Sequence, residues 1–163
     1  MSQQVVGSFE LVFRPSVNLI SLVRRFVQNF YEHLLDGDAG AQLALATHEL
    51  LENAVKYSTD GEARLSIAVA KQDGKHEVSI GTKNRASTEH LETLDELFGE
   101  LKKSSDAFTF YQTLMKRSAK APNRSGLGLA RIVAEAEMDL HHQVHGDELH
   151  VYGRCTVVAK EAS

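Results

Sequence analysis

The stretch from Thr47 to Ser58, Thr-His-Glu-Leu-Leu-Glu-Asn-Ala-Val-Lys-Tyr-Ser, constrains this chain more than any other. Read as a helix, it has two unlike faces. Leu43, Leu50, Ala54 and Tyr57 recur at helical spacing, with Leu51 and Val55 beside them, and make an apolar stripe that has to be buried. Glu49, Asn53 and Lys56 fall at i, i+4 and i+7, so they line up along another face. A carboxylate can take a proton, an amide oxygen can hold a hard cation, and an ammonium can meet a phosphate. Stacked over two turns, the three suit a polar cleft.

A later stretch, Ser125-Gly126-Leu127-Gly128-Leu129-Ala130-Arg131, opens a second apolar-periodic segment. Glycines at a helix N-terminus let a phosphate approach bare backbone N–H groups. Together the two stretches resemble the GHKL ATPase superfamily, which includes gyrase, histidine-kinase catalytic domains and the anti-sigma-factor serine kinases. Glu49-x-x-x-Asn53 is similar to that family's N box, and Gly126-x-Gly128-Leu129 is similar to its second glycine box. The resemblance covers nearly the whole chain, most firmly residues 43 to 58 and 123 to 138. It implies an α/β (α+β) two-layer sandwich: a mixed, mainly antiparallel sheet with helices on one face and a nucleotide between the helices.

The order of elements agrees. Phe9, Leu11 and Phe13 alternate with Glu10 and Arg14 in a half-buried strand that Pro15 stops. Ser16 caps a helix to about Asp36, with Val17, Ile20, Val23, Val27, Phe30 and Leu34 inward. Asp36-Gly37 ends it, and Asp38 is placed to cap the next helix, which carries the opening stretch. Leu65, Ile67 and Val69, then Val78, Ile80 and Thr82, form two strands joined at Asp73-Gly74. Ser87 or Thr88 caps a helix bearing Leu91, Leu94, Phe98 and Leu101. A further helix is expected from Asp106 to Ser118, with Phe108, Tyr111 and Met115 inward. The glycine loop and a helix to about Met138 follow, then strands near His141 to Val144 and from Leu149 to Ala159. Cys155 shares a strand face with Val151, Gly153 and Val157, which makes it a small core residue rather than a reactive thiol.

Composition narrows the function. The chain has 163 residues, one of them cysteine, so no internal disulfide is possible and a single domain is expected. Net charge is −4 with no basic block, which argues against direct nucleic-acid binding. No signal peptide or membrane-length apolar run is present, so a cytoplasmic location is expected. Catalytic triads, zinc spacing, and Rossmann and P-loop fingerprints are missing, which disfavours an unrelated metabolic enzyme.

The resemblance implies ATP and Mg²⁺ as cofactors. It makes Glu49 the base that orients the attacking hydroxyl and Asn53 the Mg²⁺ ligand. Lys56, Arg124, Gly126, Leu127, Gly128 and Leu129 would hold phosphates, with Lys120 adding charge, and residues 85 to 125 would form the lid. His48-Glu49 also matches the phosphoacceptor pair of histidine kinases. It lies inside the catalytic-type helix, however, where His48 is expected to pack or face solvent. The first glycine box is degenerate. Ile80-Gly-Thr-Lys-Asn84-Arg-Ala86 has neither the Asp nor the Gly-x-Gly of the family. Asn84 would then accept from the adenine amino group, without the charge. Losing one charge-assisted bond costs about 1.5–3 kcal/mol, so weakened ATP binding is expected. As a stand-alone domain, the chain is most similar to the anti-sigma-factor serine/threonine kinases of bacterial partner switching, of the RsbW and SpoIIAB type. That implies an antagonist or sigma-factor-like protein partner and a homodimer. The eroded first glycine box leaves a second reading, a non-catalytic protein-binding module on the same fold.

Overall fold

Burial of the opening stretch's apolar stripe organises the molecule. A computed structural model describes residues 2–14, 16–35, 38–120 and 127–158. The expected breaks at Pro15 and Asp36-Gly37, and the end of the last strand at Ala159, lie outside the described residues. The side chains of Phe13 and Val17 do too.

The element order is β1 (Gln4–Phe13), α1 (Val17–Leu34), α2 (Ala39–Tyr57), β2 (Ala63–Gln72), β3 (Lys75–Arg85), α3 (Thr88–Lys103), α4 (Ala107–Lys120), α5 (Leu127–Glu135), β4 (Asp139–His145) and β5 (Glu148–Val158). The strands form one five-stranded sheet in the order β1-β2-β3-β5-β4. Every pair in it is antiparallel. The fold is a two-layer α/β sandwich, as expected, with the sheet at the antiparallel limit.

Turn chemistry sets the register of β2 and β3. Asp73 and Gly74 take φ of 52° and 76°, the two left-handed positions of a tight hairpin, and Gln72 pairs with Lys75 across them. Between sheet and helices, Leu65, Ile67, Val69, Val78, Ile80 and Val151 meet Leu43, Leu50, Leu51 and Ala54 of α2 and Val23 and Val27 of α1. Gly7 of β1 lies where a Cβ would come within 3.0 Å of the Phe30 ring, so α1 approaches the sheet edge closely there. Fully buried Tyr31 joins α1 to α2, its hydroxyl 3.5 Å from Thr47 Oγ1, and burial pushes its pKa upward. The other sheet face is a shallow trough floored by small residues, including Ser66, Ala68, Ser79 and Gly81. Among the described residues no helix is long and apolar enough to cross a membrane.

Caps explain most helix starts. Ser16 and Ser87 accept from the backbone N–H of Leu19 and His90, and Asp106 accepts from Thr109 N at 2.7 Å. Asp38 precedes α2 but makes no side-chain cap bond. Two expectations are corrected. α4 buries Phe110 and Leu114, while Phe108 and Met115 are exposed and Tyr111 is half-buried. The stripe is set by a small second core of Phe110, Leu114 and Ala130, which packs α4 on α5 rather than on the sheet. α5 also stops at Glu135, short of Met138. Glu137 takes the left-handed conformation (φ 53°) that usually marks a glycine stop, and Met138 turns into the core. Cys155 is half-buried, and burial pushes its thiol up to about 11, in keeping with an inert core residue.

The α4 register is testable by chemical denaturation. Phe110→Ala is expected to cost about 3–5 kcal/mol, as for a truncated core ring, and Phe108→Ala to stay within about 0.5 kcal/mol. Equal losses would contradict the packing.

Candidate functional site

Helix α2 lies with its apolar stripe on the sheet, so Glu49, Asn53 and Lys56 run along its other side. Glu49 is the most enclosed of the three, its side chain 15% exposed. Its carboxylate meets the first turn of α5. A Cβ built on Gly128 would lie 2.6 Å from Glu49 Oε2, so a larger residue there would push that oxygen aside. Two segments far apart in sequence thus meet at one point. An anion held at a helix N-terminus is favourably placed against the dipole.

Arg131, one turn further along α5, holds the other carboxylate oxygen. Its Nη1 donates to Glu49 Oε1 at 3.1 Å, and its Nε lies 3.7 Å from Glu135 Oε1. Beside this ion pair is a cleft of about 170 Å³, lined by Gln42, Leu45, Ala46, Arg131 and Glu135. The sequence reading gave Arg131 no role. A signal was available, because Arg131 and Glu135 are the only charged residues of α5 and stand at i, i+4.

Toward the C-terminal end of α2, Asn53 is half-buried and Lys56 exposed. Lys56 Nζ lies 5.1 Å from the Tyr57 ring centroid, and His90 stacks on the same ring at 3.6 Å and 11°. His90 belongs to the first turn of α3, so α3 is fastened to the end of α2 by an imidazole. Burial, and then the Lys56 ammonium, push His90 down to about 4. Its Nε2 is buried with no hydrogen-bond partner among the described residues. The sequence did not single out this histidine.

Asn84 is buried at the end of β3, and its amide nitrogen donates to the Arg85 carbonyl at 3.1 Å. Arg85 ties the same strand end to its surroundings. Its carbonyl accepts from Thr59 N, and its guanidinium pairs with Asp147 at 3.0 Å. His48 faces away from this line, with Nε2 3.1 Å from Glu52 Oε1. Leu127 opens α5, and Leu129 is buried in the main core. Arg124 and Gly126, both expected near phosphates, lie outside the described residues.

The donor types are those a magnesium nucleotide would use: one carboxylate, one amide oxygen and one ammonium along α2, beside the first turn of α5, where Glu49 Oε2 takes the space a Cβ at position 128 would fill. Among the described residues no cluster of three or more His, Cys, Asp or Glu side chains is arranged to hold a metal by itself. A cation here would take most of its ligands from phosphate and water.

No protein-family model matches the sequence, and no curated protein matches it. Among solved structures, a chain of the SiaB–SiaC complex from Pseudomonas aeruginosa is similar in fold, with a TM-score of 0.61 and 16% identity. The match covers 94% of this chain and 91% of that one. The likeness shows the layered fold over nearly the whole chain.

The buried His90 makes a pH prediction. Its folded pKa lies below the unfolded value near 6.5, so below about 6.5 the unfolded chain binds a proton that the folded chain refuses. Stability therefore falls as pH drops from about 6.5 to about 4, by at most about 1.4 kcal/mol per unit from this group. His90→Gln is expected to flatten the melting temperature against pH across that window, with the slope from His76 and His150 remaining. An unchanged slope would contradict the burial.

Proposed function

We propose that the chain is a regulatory protein kinase of GHKL type. In this reading it binds ATP with Mg²⁺, phosphorylates a serine or threonine of an antagonist protein, and/or sequesters a sigma-factor-like target. The observation that carries this reading is the meeting of Glu49 with Gly128, which joins the N-box-like helix to the second glycine box. Bound ATP–Mg²⁺ would supply the phosphoryl group and polarise it. Asn53 offers its amide oxygen to the cation, and Lys56 offsets phosphate charge. Leu127, Gly128 and Leu129 at the start of α5, with Arg124 and Gly126 before them in sequence, would hold the phosphates, as the family's second glycine box implies. Asn84 accepts from the adenine amino group. Glu49 orients the acceptor hydroxyl and takes its proton as the oxygen–phosphorus bond forms and the bond to ADP breaks. Positioning and charge neutralisation of this kind are what phosphoryl transfer asks of a protein.

The structurally similar chain comes from a two-protein complex, which supports a protein partner. The net charge of −4 offers nucleic acid little attraction. A second reading, a protein-binding module without catalysis, is favoured by one observation. An uncharged amide, its nitrogen already donating to the Arg85 carbonyl, stands where the family's charged Asp would read adenine.

Calorimetry with ATP and Mg²⁺ separates the two, since binding below millimolar supports the kinase and none supports the module. Incubation with labelled ATP and cell extract is expected to label one protein. Glu49→Gln is expected to abolish that transfer while nucleotide affinity stays within about threefold, because the lost group acts on the hydroxyl. Undiminished transfer by this variant would remove Glu49 from the mechanism.

A further inference from the structure

Glu49 is held by a cation on α5, the helix that opens at the glycine turn. We propose that Arg131 is the positioning residue for the Glu49 carboxylate in phosphoryl transfer, and that Glu135 steadies Arg131 from the far side. The inference rests on the kinase reading and deepens it.

Four observations support it. Arg131 Nη1 engages Oε1 at 3.1 Å, which leaves Oε2 as the oxygen turned toward Gly128. In the kinase reading Oε2 is then the oxygen left to receive the acceptor proton. With no Cβ at Gly128 the tip of Glu49 is not walled in on that side, so the guanidinium bond is what fixes the carboxylate's orientation. With its side chain 15% exposed, Glu49 has little water to replace a lost cation. Finally, Arg131 and Gly128 share one short helix, so the carboxylate moves with the turn that would hold phosphate. In the step itself the acceptor oxygen bonds to phosphorus, the bond to the leaving nucleoside diphosphate breaks, and the hydroxyl proton passes to Oε2. Arg131 touches none of the reacting atoms.

The test uses the full chain with Arg131→Met, Arg131→Lys and Arg131→Ala. Two activities are followed: phosphate release from ATP–Mg²⁺ with water as acceptor, and transfer to the protein labelled in the extract experiment. Arg131→Met is expected to lower kcat by about 10- to 100-fold, the worth of one charged hydrogen bond, with ATP affinity within about twofold. Added guanidinium ion, which the neighbouring cleft of about 170 Å³ can admit, is expected to restore part of the rate in Arg131→Ala but not in Arg131→Met. Independently of activity, urea unfolding of the free chain carrying Glu49→Gln, Arg131→Met and both is expected to be non-additive by about twofold or more in the equilibrium constant. Unchanged kcat in Arg131→Met, parallel loss of ATP binding, or additive unfolding would each overturn the inference. A wild-type chain that binds ATP and transfers nothing, to water or protein, would overturn the kinase reading and this inference with it. A normally transferring wild type beside an unaffected Arg131→Met would overturn the inference alone.

Discussion

A carboxylate pressed against bare backbone is the constraint on which the rest of the site depends. Glu49 Oε2 occupies the space that any side chain at position 128 would need. A side chain at 128 would displace the carboxylate from the place where Arg131 holds it. The contact also sets the distance between α2 and α5, and with it the width of the cleft beside Arg131. A buried carboxylate is expensive unless it is paired, and the pairing comes from the helix it touches. Local sequence, packing and electrostatics agree at this point, as in a chain whose levels of organisation are consistent.

The two ends of α2 are treated differently. Its middle is fixed by Thr47, whose hydroxyl donates to the Leu43 carbonyl and lies near Tyr31, and by the leucines beneath. Its C-terminal end is held by stacking, Tyr57 against His90. Stacking between planar rings is tolerant of sliding in a way that a packed leucine is not. The segment that follows β3 therefore rests on α2 through an adaptable contact, while Glu49 rests on the rigid part of the helix.

Much of the fold was legible in the sequence, for reasons that can be named. The α2 stripe, the Asp73-Gly74 turn and the Ser16 and Ser87 caps are short-range signals, and short-range physics decided them. The α4 face was misread because Phe108, Tyr111 and Met115 and the pair Phe110 and Leu114 are both apolar stripes. Only the long-range meeting with Ala130 selects between them. The end of α5 was misread because a glutamate, not a glycine, takes the left-handed stop. At the site, Glu49 and Gly128 could be read from motif and spacing. The i, i+4 pair Arg131 and Glu135 marked a charged face of α5, but not what Arg131 meets; that pairing and the one of His90 are with residues 82 and 33 positions away. The numbers 49, 53 and 56 describe one helix face, whereas an ion pair between two helices leaves no periodic trace.

The strand order has a consequence for dynamics. β3 is hydrogen-bonded along both edges, to β2 and to β5. Its amides are among the last to exchange with solvent deuterium, since exchange there requires the sheet itself to open. Asn84 rides on the end of that slow strand, whereas Gly128 sits in the first turn of a helix of nine residues. The strand end therefore has the longer protection lifetime and the short helix the shorter, so α5 gives way before β3 does.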